Sequence, residues 1–232
     1  YRKIRNSGLR NLLANLSDFD PKLHTQVVPQ NSLDGWMLAE VDTLIRDVRD
    51  AYGKYELHKA FRLLHDFCSV QISAIYSNAI KDRLYCETPD SPIRRRCQTV
   101  MHRTIIVLTK LLAPILVFTT DEAWEHILHK PDGEQTCASV HLTLLPEPSG
   151  MVASDEQRRE WELLMQLRDS ATQQLDALKK NAGLNKASDA EVIYKVETDE
   201  LRQKLQAYGV DLADLVGAGY HTIIDDPDPK GP

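Results

Sequence analysis

Residues 56–85 read ELHKAFRLLHDFCSVQISAIYSNAIKDRLY. Leu57, Phe61, Leu64, Cys68, Ile72, Ile75 and Ala79 recur at spacings of three and four, which puts them on one stripe of a long amphipathic helix. Such a stripe must be covered, so the neighbouring segments should supply partner helices. Upstream, GWMLAEVDTLIRDVRDAYGKY (35–55) repeats the pattern through Trp36, Val41, Leu44, Ile45, Val48 and Tyr52, and Gly53 is a stop signal. Downstream, a helix should begin near Pro92 and run to about Ala113, where Pro114 ends or kinks it.

Working further outward, Tyr1 to about Leu16 carries Ile4, Leu9, Leu12, Leu13 and Leu16 among Arg2, Lys3, Arg5 and Arg10, which also predicts a helix. SDFDPKLHTQVVPQNS (17–32) is loop, with two prolines and several turn formers. Thr119-Thr120-Asp121-Glu122 fits a capping box opening a short helix to about His129, and Pro131-Asp132-Gly133 reads as a turn. SVHLTLLPEP (139–148) reads as an extended, proline-bearing linker. Beyond it, 154–182 forms one long helix with Trp161, Leu164, Leu167, Ala171, Leu175 and Leu178 on its stripe and Gly183 as its cap. AEVIYKVE alternates like a strand, TDELRQKLQAYG is a helix with Thr198 as N-cap, GYHTIID is a second strand, and DDPDPKGP is a frayed tail. The expected fold is mainly α: a helical bundle over 1–148, then a small α+β module over 149–232. Trp36, Phe61, Trp124 and Trp161 lie on apolar stripes and read as packing residues.

Composition narrows the classes. The chain has 232 residues, 42% hydrophobic and 27% charged, which is ordinary globular usage. The longest apolar run, Ile105 to Phe118, is interrupted by Lys110 and Pro114 and falls short of the ~20 residues a membrane helix needs. The basic start YRKIRNSG lacks an apolar signal core, and a first residue of Tyr predicts a chain that begins inside a longer protein. Cys68, Cys86, Cys97 and Cys137 are few and scattered, which predicts reduced thiols and a cytoplasmic setting. The net charge of −6 is uneven: residues 1–113 hold 17 Lys+Arg against 12 Asp+Glu (+5), and the rest holds 11 against 22 (−11).

No phosphate loop, nucleophile elbow or metalloprotease motif is present, so no catalytic residue is assigned. His126, His129, Cys137 and His141 are spaced unlike any standard zinc knuckle, so no metal site is assigned either. The chemistry-bearing feature is KDRLYCETPDSPIRRRCQ (81–98), where Lys81, Arg83, Arg94, Arg95 and Arg96 surround a short turn beside Tyr85. Lys81 and Arg83 suit a helix C-terminus, but three arginines near a helix start oppose the dipole unless anions sit close by. Glu87 and Asp90 are local candidates for those anions, and a bound phosphate backbone is the functional alternative to a merely solvated surface. Tyr85 offers either half-buried packing or a platform for an unpaired base.

The order YRKIRN, NLSDFDP, Trp36, KDRLY, RRRCQT, LLAPILVFTTDEAW and SVHLTLLPEP resembles the region after the catalytic domain in the isoleucyl-tRNA synthetase family of class Ia. The valyl and leucyl families share the general layout. Residues 1 to about 148 carry these motifs, and WELLMQLRD, KASDAEV and GVDLADL resemble the bacterial C-terminal extension more weakly. The resemblance implies an anticodon-binding bundle that holds the anticodon arm of isoleucine tRNA. It implies backbone contacts at Lys81, Arg83, Arg94, Arg95 and Arg96, base stacking at Tyr85, and stem or catalytic-domain contacts at Arg2 and Arg5. ATP and magnesium would belong to a catalytic domain upstream, because the family's HIGH and KMSKS motifs are not in this chain; HILH (126–129) is not HIGH. The chain alone should therefore not aminoacylate.

Two departures stand out. RNSGLRN holds one residue more than the family pattern, an insertion that a π-bulge absorbs and Gly8 eases. No cysteine follows Cys137, whereas many bacterial members end in a cysteine-rich zinc knuckle. The −11 half should repel phosphate, which favours a structural docking role for it over RNA reading. The alternatives are an anticodon domain of the valyl or leucyl type, or a helical protein–protein adaptor whose arginines meet an acidic partner.

Overall fold

The computed structural model describes residues 1–127, 130, 137–151, 153–181 and 186–225. The chain folds as two compact units, one of Tyr1–Gln30 with Asp34–Val152 and one of Asn31–Leu33 with Ala153–Pro232.

The first unit is helical. It runs through a π-helix, π1 (Lys3–Arg10), then α1 (Asn11–Ala14), α2 (Pro21–His24), α3 (Leu33–Gly53) and α4 (Leu57–Phe67). A second π-helix, π2 (Cys68–Tyr76), leads into α5 (Ser77–Ala79), α6 (Lys81–Tyr85), α7 (Pro92–Leu112) and α8 (Val117–Glu125). The centre is α7: every residue from Thr104 to Ala113 is buried. Thr104 and Thr109 tolerate this by donating their hydroxyls to the carbonyls of Val100 (2.8 Å) and Ile105 (2.7 Å) one turn earlier. Lys110 tolerates it with its ammonium 5.9 Å from the centre of the buried Trp124 ring. Pro114 follows the end of α7, as its missing N–H demands.

Three expectations are corrected, and one is met. The helix of 56–85 is not continuous α-helix. It widens to i→i+5 bonding over Cys68–Tyr76, with Ser77 N–H donating to Ile72 O, and it is interrupted at Ile80. Of the expected stripe, Leu64, Cys68, Ile72, Ile75 and Ala79 are buried and Tyr76 joins them, while Leu57 at the start is 54% exposed. The expectation that is met concerns the first helix, which is π over Lys3–Arg10, so the insertion at Ser7-Gly8 is taken up in wide turns. A Cβ on Gly8 would lie 2.8 Å from Cys68 Sγ, so the backbone passes close to that thiol because glycine has no side chain there.

The second correction is at α8, which starts at Val117, two residues before the expected box. Thr120 is inside the helix and bonds the carbonyls of Leu116 and Val117, and Asp121 accepts from Ser139 Oγ (2.6 Å) and Val140 N–H (3.2 Å). Third, SVHLTLLPEP, expected as an extended linker, opens with a helical turn and is pinned to the bundle. Val140–Leu142 makes a 3₁₀ turn, Arg49 donates to the carbonyls of Leu145 and Pro146, and Arg103 donates to Glu147 O (2.9 Å). The buried Asp42 carboxylate takes Ser149 N–H, Ser149 Oγ and Met151 N–H at 3.0, 2.9 and 3.0 Å.

The second unit contains α9 (Asp155–Asn181), β1 (Glu191–Val196), α10 (Asp199–Tyr208), α11 (Asp211–Val216) and β2 (Tyr220–Asp225). The strands pair in parallel, Glu191 opposite Tyr220 through Val196 opposite Asp225, and α10 and α11 supply the crossover that parallel strands require. Thr198 caps α10 by accepting Leu201 N–H, as its side chain predicts. Trp161 on α9 packs edge-on against Tyr208 with ring centres 5.3 Å apart. Trp36, Trp124 and Trp161 are buried, in line with a packing role; Phe61 is half-buried. The expected cap Gly183, the turn at 131–133, His129 and the tail 226–232 lie outside the described residues. Among the described residues, no helix is long and apolar enough to cross a membrane. None of the four cysteines is in a disulfide.

Candidate nucleic-acid interface

The cations of 81–98 do converge. Lys81 and Arg83 stand on α6, and Arg94, Arg95 and Arg96 stand in the opening turns of α7, on the other side of the Glu87–Asp90 turn. The anions that make this arrangement tenable come chiefly from elsewhere in the chain.

Asp34, at the start of α3, is fully buried. Its carboxylate accepts Arg96 Nε at 2.6 Å and the Tyr76 hydroxyl at 2.5 Å, and Arg83 approaches within 3.7 Å. Arg83 is itself 4% exposed, so it belongs to the interior. Burial pushes the Tyr76 hydroxyl well above its ordinary range, and the neighbouring Asp34 charge adds to the effect.

Asp18, in the loop after α1, holds the other pair. Arg94 makes a two-pronged bond to its carboxylate at 2.7 and 3.1 Å. Arg95 donates to Asp18 O at 2.7 Å and to Gln98 Oε1 at 2.9 Å, while Gln98 Nε2 returns to Asp18 Oδ1 at 2.8 Å. The Arg94 hydrogen bond is the main cause that lowers the Asp18 carboxyl to about 2, partly opposed by burial and aided by Gln98. Of the local acids expected in this role, Asp90 reaches Arg95 only at 3.7 Å and is 95% exposed.

The corner thus has two layers. Four arginines meet the buried Asp34 and the part-exposed Asp18, with Asp90 a more distant partner of Arg95. Outside stand Lys81, half-buried, and Tyr85, 72% exposed. An aromatic ring held in solvent beside this charge can stack on a planar unpaired base while cations hold the flanking phosphates. Arg2 and Arg5 are not brought to the corner. They stand at the far end of the first helix, where Arg2 is exposed and Arg5 makes a solvent-facing pair with Glu122 on α8 at 3.4 Å. Asp18, Asp34, Tyr76 and Gln98 were not singled out by sequence reasoning. Their only signal was polarity in apolar or loop context, without any indication of partner.

The geometry fits what similarity shows. Residues 34–194 match the family described as the anticodon-binding domain of tRNA ligase. An isoleucine–tRNA ligase of Geobacillus kaustophilus (strain HTA426) is 37% identical over 228 residues, covering 98% of this chain and 24% of that protein. Isoleucine–tRNA ligases of Halalkalibacterium halodurans and Methylacidiphilum infernorum (isolate V4) are 37% and 39% identical, over 90% and 83% of this chain. The chain spans roughly a quarter of the length of the curated relatives it matches. It belongs to the anticodon-binding domain family of tRNA ligases.

Proposed function

We propose that this chain is the tRNA-holding part of an isoleucine–tRNA ligase and grips the anticodon arm of isoleucine tRNA. The observation that carries the reading is the match to the anticodon-binding family over 34–194, together with isoleucine ligases as relatives along almost the whole chain. In this reading Lys81 meets the phosphate backbone and Tyr85 stacks on a splayed loop base, with the exposed edge of Arg96 adding charge. Arg83 and Arg95 act from the interior by shaping the corner and contributing to its field. Arg2 and Arg5 face the stem or the neighbouring catalytic domain.

Joining isoleucine to tRNA with ATP and magnesium is assigned to a catalytic domain elsewhere in the polypeptide, acting in the cytoplasm. No step of that chemistry is assigned to residues of this chain. The acidic second unit serves as a docking surface, since its charge opposes RNA.

Hydroxyl-radical footprinting of isoleucine tRNA with the chain tests this. Protection confined to the anticodon arm is expected. Protection of the acceptor arm alone, or none at a concentration where the chain is folded, would contradict it.

A further inference from the structure

We propose that Arg94 is a positioning residue of the corner, a staple that holds Tyr85 out in solvent as the stacking platform. The inference rests on the anticodon-arm reading above.

A guanidinium has five N–H donors in a fixed fork. Arg94 spends one from Nε on Leu84 O (3.2 Å), two from one terminal nitrogen on Asp18 Oδ2 (2.7 Å) and Pro89 O (3.1 Å), and one from the other on Asp18 Oδ1 (3.1 Å). Its side chain is only 15% exposed. One side chain therefore ties together the end of α6, the turn that follows and the loop after α1. Little of it is left for a phosphate.

The short helix makes the staple necessary. α6 has five residues, and its last carbonyls lack the partners that a longer helix would give them. Arg94 fills that need at Leu84, the residue before Tyr85. From Tyr85 to Asp90 every residue is exposed, so apolar packing does not fix this stretch. Its other ties are the short-range bonds Cys86 N–H to Asp82 O and Ser91 N–H to Thr88 O and the solvent-facing approach of Asp90 to Arg95 at 3.7 Å. A lysine cannot replace the fork, because an ammonium is a point donor without planar geometry.

The test compares Arg94→Gln, Arg94→Lys, Tyr85→Ala and the Arg94→Gln/Tyr85→Ala double variant of the full chain. An isoleucine anticodon stem-loop carrying 2-aminopurine in its loop is titrated by fluorescence across a salt series, and hydrogen exchange is followed over residues 84–91. Arg94→Gln and Arg94→Lys should each weaken binding about tenfold, the scale of one lost base–aromatic stack, with an unchanged slope of log K against log salt. The double variant should bind no worse than Tyr85→Ala, and exchange over 84–91 should rise while α7 stays protected.

A slope reduced by about 0.7 in Arg94→Gln would make Arg94 a direct phosphate contact and overturn the proposal. Additive losses in the double variant would overturn it too. Unchanged exchange over 84–91 rules out the staple whether or not RNA binds. Failure of the unmodified chain to bind the stem-loop would overturn the anticodon-arm reading and the platform with it, and the exchange result would still decide the staple.

Discussion

Arg96 Nε lies 2.6 Å from Asp34 Oδ2, joining the opening turns of α7 to the first turn of α3 at a carboxylate with no solvent exposure. Two helix N-termini meet there, where a negative charge is favoured, and Arg83 and Tyr76 complete its surroundings. The arginines of α7 oppose their own helix dipole, and Asp34 and Asp18 offset that cost.

Removing a buried partner leaves uncompensated charge behind. Asp34→Ala should destabilise the chain by about 3–5 kcal/mol, read as a lower urea midpoint at an unchanged m-value. A loss below about 1 kcal/mol would mean that Arg83 and Arg96 find water or new partners, and the buried hub would not be structural.

Asp18 makes the corner acid-sensitive. Its folded pKa of about 2 lies below the ordinary 3.8 of an aspartate, so its contribution is present above the unfolded pKa and is lost as pH falls through the folded one. The effect is on the order of 1 kcal/mol once the exposure of the carboxylate is allowed for. Stability of the native chain should fall between about pH 4 and pH 2 more steeply than that of Asp18→Asn. Parallel acid curves for the two proteins would remove Asp18 from this role.

The approach of the two π-helices at Gly8 has its own test. Gly8→Ala should cost about 1–2 kcal/mol, the overpacking penalty less the helix preference of alanine. In a chain already carrying Cys68→Ala, Gly8→Ala should cost much less, because the 2.8 Å clash with Sγ disappears. Strictly additive unfolding energies would show that the two residues do not meet.

Asp42 ties down the segment leading out of the first unit. Asp42→Ala removes the acceptor for Ser149 and Met151 and should make cleavage near 145–151 by a nonspecific protease several-fold faster. An unchanged cleavage rate would place the restraint in Arg49 and Arg103 instead.

Local rules made much of the fold legible. Leu33–Gly53, Pro92–Leu112 and Asp155–Asn181 were readable because apolar periodicity and end signals are properties of short windows. Thr198 was readable as a cap for the same reason. The wide turns of Cys68–Tyr76 were not, since an i→i+5 stretch keeps a nearly helical apolar pattern and reveals itself only in which residues are buried. SVHLTLLPEP looked like a tether because nothing local indicates that Arg49, Arg103 and Asp121 take up its backbone groups. At the corner the cluster of cations was plain, but the division between inner and outer residues was not. That division depends on Asp18 and Asp34, which are 76 and 62 residues from Arg94 and Arg96 along the chain. Tyr85, ambiguous between packing and platform, is 72% exposed, which argues against half-buried packing.

The most direct test of the central claim is a titration of the full chain with isoleucine, valine and leucine anticodon stem-loops over a salt series. Tightest binding to the isoleucine loop, weakening steeply as salt rises, is the predicted result. Equal affinity for all three loops, or affinity indifferent to salt, would contradict an anticodon reader built on this corner.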